Sequence, residues 1–316
     1  MEPNPNRLKK GLTSGITKGW SGFVWMLQII IPMSFLTSLL SYSGWMDRID
    51  FFLQPVMSFL NLPSMAALPI LVGTLTGIYG GIASMVMLPL TSEQMTLIAV
   101  FILISHNLVQ EGIIQAKSGI HPLKATLFRL TASVITVIVV ARFLKPDTLA
   151  VISEGMSVMS EGMSRAAVQP LMSMLKIWFI ASFYLCIKMF LIIMALMILL
   201  GIMKSFNIIH HIVRVISPVL KAMGLNHKVG ILWITAAVFG IAYGAVVIVE
   251  EAKEGNFDRQ ELEKLHISIG INHSMVEDPA LFLTLGLNAF WLWVPRLLTA
   301  VLAVHLFALW HRIKSR

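Results

Sequence analysis

The chain has 316 residues, of which 57% are hydrophobic and 13% charged, and its mean hydropathy is +0.81. Soluble domains carry roughly a quarter charged residues, so these values exclude an ordinary water-soluble globular protein. The net charge of +8 does not indicate nucleic acid, because the basic residues lie in short loops beside apolar spans. We therefore expect an all-α, multi-pass integral membrane protein of the bacterial cytoplasmic (inner) membrane, without a nucleic-acid partner.

The apolar segments predict the membrane helices. Gly22–Leu40 is too long for the core of a signal peptide, and no small-residue cleavage site follows it, so we interpret it as a first transmembrane helix. Seven further segments are apolar enough to enter the bilayer: Met65–Leu90, Met95–Val109, Ala125–Leu144, Ile177–Met203, Val229–Val249, Leu265–Leu287 and Ala289–Trp310. Two amphipathic stretches, 45–60 and 208–223, are predicted to lie in the membrane interface.

An internal repeat relates the two halves of the chain. Residues 53–82 match residues 216–245 at an offset of 163, which aligns Pro55 with Pro218. Further on the offset becomes 167, which aligns Ile104, His106, Val109, Arg129 and Leu130 with Ile271, His273, Val276, Arg296 and Leu297. Because Pro, Gly, His and Arg agree in order, we interpret the match as a duplication.

The charges of equivalent loops predict that the halves insert in opposite orientations. The loop after the first span is acidic (Asp47, Asp50), whereas its counterpart after Met203 is basic (Lys204, Arg214). By the positive-inside rule these loops face opposite sides, which requires an odd number of crossings per half. Four apolar regions give three crossings only if one is re-entrant or broken. We favour Met65–Leu90 and Val229–Val249 as re-entrant hairpins; the alternative places the break at two polar motifs.

These polar motifs, ISHNLVQEGI (104–113) and INHSMVEDPA (271–280), interrupt apolar segments at equivalent positions. Charged groups at membrane depth are costly and usually line a substrate path. On a continuous helix His106 and Gln110 would share a face, as would Ser274 and Asp278. The expected solute- or ion-binding residues are Ser105, His106, Asn107, Gln110, Glu111, Asn272, His273, Ser274, Glu277, Asp278, Arg129, Arg296, Gly77, Gly81, Gly240 and Gly244.

The glycines and basic residues each leave two interpretations open. The motifs GIYGG and GIAYG place glycine at four-residue spacing, which suits either helix packing or a hairpin tip that approaches the solute. Arg129 and Arg296 are either anchors at the interface or partners of Glu111, Asp278 or an anionic solute. Lys188 lies midway in an apolar segment. It is interpreted as a counter-ion, as a coupling residue or as a side chain that faces a wet cavity.

These motifs resemble paired Gate domains of the nucleoside recognition family, over roughly residues 20–145 and 172–312. Related modules occur in spore maturation proteins and in the membrane part of ferrous iron permeases, whose cysteine motif is absent here. The plan is similar to concentrative nucleoside transporters, which combine re-entrant hairpins with broken helices. The resemblance implies that Asn107, Glu111, Ser274 and Asp278 contact solute or coupling ion. It also implies three regions: a first Gate-like repeat (1–146, N-terminus cytoplasmic), an extracytoplasmic linker (147–170) and a second repeat (171–316, C-terminus cytoplasmic).

The chain carries no phosphate-binding loop or catalytic motif, so we expect a non-enzyme with no cofactor beyond a coupling proton or sodium ion. The favoured function is a secondary transporter of a small polar or anionic organic solute, such as a nucleoside or carboxylate. One alternative is a divalent metal ion permease with His106, Glu111, His273 and Asp278 as ligands. Another is a non-transporting scaffold or partner protein. The expected partners are a solute and membrane lipid, with homo-oligomerisation left open.

Overall fold

A computed structural model describes residues 5–118, 120–145, 171–206, 227–240 and 258–314, with positions 208, 215, 218, 220–225, 248 and 249 between the later ranges. Within this part of the chain every regular element is helical. The predicted linker 147–170, most of the interface stretch 208–223, and Gly244 lie outside the described residues.

The described residues of the first half form seven α-helices. They are α1 (Pro5–Tyr42), α2 (Trp45–Phe59), α3 (Ala67–Thr76), α4 (Ile78–Val86), α5 (Ser92–Ser105), α6 (Leu108–Lys117) and α7 (Pro122–Leu144), with a short 3-10 turn at Ser64–Ala66 before α3. The second half contributes α8 (Leu171–Ser205), α9 (His227–Phe239), α10 (Arg259–Asn272), α11 (Glu277–Leu283) and α12 (Ala289–Lys314).

Among the described residues, five helical segments are long and apolar enough to cross a membrane: Asn6–Tyr42, Ser92–Lys117, Pro122–Leu144, Leu171–Ser205 and Ala289–Ile313. Large apolar side chains such as Trp20, Phe183 and Leu191 are exposed on these helices. Exposed apolar surface of this extent suits lipid as the solvent, and the protein is a multi-pass membrane protein.

The segment Met65–Leu90 forms the predicted hairpin. Gly77, between α3 and α4, has φ +93°, a conformation that L side chains rarely adopt. A Cβ on Gly81 would lie 3.3 Å from the Cα of Gly73, so residues four positions before and after Gly77 are neighbours. The chain therefore doubles back at Gly77. In the second half Gly240 follows α9 with φ +78°, and the return arm lies outside the described residues.

Both polar motifs also break their helices. α5 ends at Ser105 and α6 starts at Leu108, with Asn107 in the left-handed conformation (φ 52°). α10 ends at Asn272 and α11 starts at Glu277, with Ser274 at φ 47°. The two alternatives from the sequence are thus not exclusive, because the first half contains a hairpin and a broken helix.

The start of α1 and the end of α12 lie at the same end of the bundle. α8 runs antiparallel to α1, since Gly11 contacts Gly201 and Gly15 contacts Ile198. Thr37, towards the end of α1, contacts Ser84 shortly before α5, so α5 and α6 lead back towards the start of α1. α7 and α12 are antiparallel to each other, which returns α12 to that end as well.

Candidate functional site

The two broken helices meet through their histidines. His106 and His273 are the residues that follow α5 and α10, and their Nε2 atoms lie 2.8 Å apart. Both side chains are buried, at 3% and 1% exposure. The structure therefore brings the two polar motifs into contact.

Equivalent capping brings the two half-helices to this point. α5 starts with a capping box between Thr91 and Gln94, and α10 starts with one between Asp258 and Glu261. These boxes are 167 residues apart, the same offset that separates the two histidines. Each helix therefore begins at an equivalent residue and runs the same length to its histidine.

Backbone contacts fix the proton positions on both imidazole rings. His106 Nδ1 lies 2.9 Å from the carbonyl oxygen of Ile102, and His273 Nδ1 lies 3.0 Å from that of Ile269. Because a carbonyl only accepts hydrogen bonds, each Nδ1 is the donor. In a neutral imidazole the other nitrogen is then an acceptor. The two Nε2 lone pairs therefore face each other.

Two carboxylates complete a cluster of four acceptor atoms. Glu111 Oε1 lies 3.2 Å from His273 Nε2, and Asp278 Oδ2 lies 3.3 Å from His106 Nε2. Neither carboxylate atom has a hydrogen-bond donor among the described residues. We call His106, His273, Glu111 and Asp278 the acceptor cluster. A buried set of acceptors without a donor favours a cation at its centre.

Two buried arginines bind the ends of the broken helices. Arg129 donates to the carbonyl oxygens of Ile104 (2.9 Å) and His106 (2.9 Å), and Arg296 donates to those of Ile271 (2.9 Å) and His273 (3.0 Å). A helix that ends in an apolar environment leaves carbonyls without partners, and a guanidinium supplies several donors. The arginines are thus not interfacial anchors.

The arginines differ in their carboxylate contacts. Arg129 Nη1 forms an ion pair with Glu111 Oε2 at 2.8 Å. Arg296 Nη1 has no hydrogen-bond partner in the described part of the chain. Of the two predicted acid–arginine pairs, the structure therefore forms the one in the first half.

The glycine turns lie against the same breaks. A Cβ on Gly77 would lie 2.7 Å from the side-chain oxygen of Asn107, and one on Gly240 would lie 3.0 Å from the hydroxyl of Ser274. The backbone N–H of Ser274 also donates to the carbonyl of Ala236, near the end of α9. Both turns thus contact the polar motifs, as the hairpin-tip interpretation requires.

Other predicted residues lie beside the cluster or away from it. Gln110 is exposed, because the break at Asn107 separates its helix from that of His106. Ser105 donates to Phe101 in its own helix, whereas Asn272 is buried with no hydrogen-bond partner for its amide among the described residues. Gly81 packs against Gly73 inside the hairpin.

Two further predicted charges bind elsewhere, and two aromatic residues were not predicted. Glu277 accepts from the hydroxyl of Tyr79 at 2.9 Å, and Lys188 Nζ lies 3.4 Å from the carbonyl of Thr284. Trp293 donates to the carbonyl of Met275 inside the second break. Tyr79 lies within the GIYGG motif. A hydroxyl in an apolar hairpin was the sequence signal that could have marked it as a hydrogen-bonding residue.

A cavity of about 630 Å³ opens beside the acceptor cluster, between α6, α7, α10 and α12. Arg129 lines it and is also the ion-pair partner of Glu111. His266, two helical turns before His273 on α10, lines it as well, is 3% exposed and has no partner for Nε2 among the described residues. His266 is not among the site residues predicted from the sequence.

Comparison with known proteins finds a family match in the first half of the chain. Residues 23–146 match the Gate family, described as nucleoside recognition. The chain is also 25% identical over 312 residues to the uncharacterized membrane protein YvoD of Bacillus subtilis (strain 168), with 93% of each chain covered. No solved structure matches the chain. The Gate match points to a transport-associated membrane protein rather than an enzyme.

Proposed function

We propose that this chain is a cation-coupled secondary transporter of a small polar or anionic organic solute. The observation that carries the proposal is the acceptor cluster, in which four buried acceptor atoms converge without a donor. A coupling cation supplies the missing positive charge. The 2.8 Å Nε2–Nε2 distance is that of a hydrogen bond, so one shared proton would bridge His106 and His273. Sodium, with carboxylate oxygens as ligands, is the other candidate coupling ion.

We further propose that the halves are inverted repeats, the first being residues 1–146 and the second 171–316. Supporting this are the equivalent capping boxes, the equivalent histidines and the equivalent arginine contacts at a constant offset of 167. In transporters of this plan the site lies between the repeats, and the two halves alternate in opening it to each side. The acceptor cluster takes two residues from each half, as that plan requires.

The test is uptake into vesicles that contain the purified protein. The chain is supplied with nucleosides, carboxylates and divalent metals under an imposed proton or sodium gradient. For the solute that is transported, Glu111→Gln and Asp278→Asn should abolish gradient-driven accumulation, because each removes a charge that the cation needs. Solute exchange without a gradient should persist. Gln110→Asn is the matched control, because Gln110 is exposed outside the cluster.

A divalent metal ion permease is the second candidate, and one observation favours it. One ligand atom each from His106, Glu111 and His273 lie within 4.8 Å of one another. Both histidines also donate Nδ1–H to backbone carbonyls, as metal-binding histidines usually do. Zinc ligands at 2.0–2.1 Å in a tetrahedron stand roughly 3.3 Å apart, close to the 3.2 and 3.3 Å separations here.

Metal binding by purified protein separates the two candidates. A permease should bind Zn²⁺ or Mn²⁺ in calorimetry, and His106→Ala or His273→Ala should weaken that binding more than about 100-fold. A transporter of organic solutes should show no such binding and should lose only its gradient dependence. If the parent and all four cluster variants bind and transport alike, both proposals are wrong and the cluster is structural.

A further inference from the structure

We propose that the cavity between α6, α7, α10 and α12 binds a small organic anion that carries a flat apolar group. This inference rests on the proposed transport function and names the class of solute. The volume of the cavity, about 630 Å³, lies within the range of roughly 300–1,000 Å³ that is usual for small-molecule sites.

The charges that line the cavity favour an anion. Arg129 stands at its inner wall and Lys124 at its outer part. One acidic residue, Glu263, also lines the cavity, and its carboxylate lies 3.5 Å from His311 Nε2. Arginine and lysine are the residues that bind carboxylate and phosphate groups, arginine with two parallel hydrogen bonds.

Uncharged polar groups lie deeper, and one of them lacks a partner. Gln115 is 3% exposed and lines the cavity together with His266. His266 Nε2 is buried without a hydrogen-bond partner in the described residues, which is costly for an imidazole nitrogen. A polar group of a ligand would supply that partner.

The remaining wall is aromatic. Phe128, Phe307 and Trp310 line the cavity on α7 and α12. Flat aromatic faces bind planar apolar groups in offset or edge-to-face arrangements. The cavity therefore combines a positive inner wall with a surface that suits a ring, and a planar organic anion matches both.

Arg129 links this cavity to the acceptor cluster. Its guanidinium pairs with Glu111, and its side chain packs on Gly270 of α10, where a Cβ would lie 3.3 Å from Cδ. An anion in the cavity competes with Glu111 for Arg129, which leaves more of the negative charge of Glu111 for a cation. A cation at Glu111 conversely leaves Arg129 for the anion. Each therefore raises the affinity of the other, by 5- to 150-fold on the usual scale of such coupling.

The experiment uses the full chain in nanodiscs of neutral phosphatidylcholine, with a single introduced cysteine. Cys186, the one native cysteine, is replaced by serine. Gln260, which is exposed and lines the cavity, becomes the labelled position through Gln260→Cys. The rate of labelling by a maleimide is measured with benzoate or a nucleoside monophosphate, and with neutral benzamide as the matched control.

We expect the anions to slow labelling at least fivefold and benzamide to leave it unchanged. Lys124→Gln, at an exposed position that lines the cavity, should remove the protection. Glu111→Gln, which frees Arg129, should raise the apparent anion affinity at least fivefold. Labelling that no anion slows, or that benzamide slows equally, overturns the proposal.

A lipid headgroup could supply the same anionic chemistry, so a second arm replaces the lipid. If only nanodiscs with phosphatidylglycerol protect Gln260→Cys, the cavity binds a lipid and the proposed solute class is wrong. The outcome is also separable from the transport proposal. Suppose that no anion protects Gln260→Cys, but that gradient-driven uptake occurs and Glu111→Gln abolishes it. The transport proposal would then stand, and only the proposed anion site would be wrong.

Discussion

The two polar motifs share one backbone design but use their carboxylates differently. In both, a histidine ends a helix, binds the carbonyl four residues earlier and leads into a left-handed residue. In the first motif Glu111 reaches Arg129 at 2.8 Å and is 1% exposed. In the second, Asp278 is one methylene shorter and 8% exposed, and Arg296 keeps one nitrogen unpaired among the described residues.

This difference indicates a division of roles between the halves. Arg129 pairs with Glu111 and also borders the cavity, whereas Arg296 Nη1 has no hydrogen-bond partner among the described residues. A transport cycle needs groups whose partners change. Among the described residues, Arg296 therefore has a partner to gain, and Arg129, which contacts both Glu111 and the cavity, has one to exchange.

The largest difference should appear when each arginine is removed. Arg129→Met and Arg296→Met both remove hydrogen bonds to carbonyl oxygens at the end of a broken helix. Arg129→Met also leaves Glu111 buried without its ion-pair partner, which costs about 3–5 kcal/mol in comparable buried pairs. The free energy of unfolding, measured in mixed detergent micelles, should therefore fall further for Arg129→Met by about that amount. Equal losses would show that the ion pair contributes nothing.

Giving either motif the acid of the other should reduce the difference between the motifs. Asp278→Glu extends the carboxylate by one methylene towards the free nitrogen of Arg296, and should raise the free energy of unfolding by about 1.5–3 kcal/mol, the scale of a hydrogen bond to a charged group. Glu111→Asp should lower it by a similar amount. Transport should slow in Asp278→Glu, because the second motif would then be paired like the first. Faster transport in this variant would contradict the division of roles.

The residues of the candidate site could be singled out from the sequence because similar residues recur at constant offsets in its two halves. His106 and His273, or Gly77 and Gly240, are weak signals singly, but each pair agrees at a constant offset. The structure places the two histidines in contact with each other, and each glycine against the polar motif of its own half. The hairpin at Gly77 was likewise predictable, since three crossings from four apolar regions require one region to be re-entrant or broken, and Met65–Leu90 is rich in glycine.

What the sequence could not supply depends on the helix breaks and on distant contacts. The shared face of His106 and Gln110 assumed a continuous helix, and the left-handed Asn107 turns the following residues away from that face. The arginine contacts join residues 23 to 25 positions apart, and the Tyr79–Glu277 bond joins residues 198 apart. No local periodicity reports such pairs. The membrane orientation, the linker and the transported solute remain predictions.

The smallest of the expected differences concerns the residue before each acid, Gln110 in the first motif and Glu277 in the second. Gln110 is exposed, whereas Glu277 accepts from Tyr79 at 2.9 Å, a contact that ties the hairpin of the first half to the second motif. Because Glu277 is half-buried, Tyr79→Phe should lower the free energy of unfolding by only about 0.5–1.5 kcal/mol. Glu277→Gln, which copies the first motif, should cost a similar amount. The double variant should cost less than the sum of the single variants, since both remove one bond. A strictly additive double variant would show that Tyr79 and Glu277 act independently, and the link between hairpin and motif would then rest on packing.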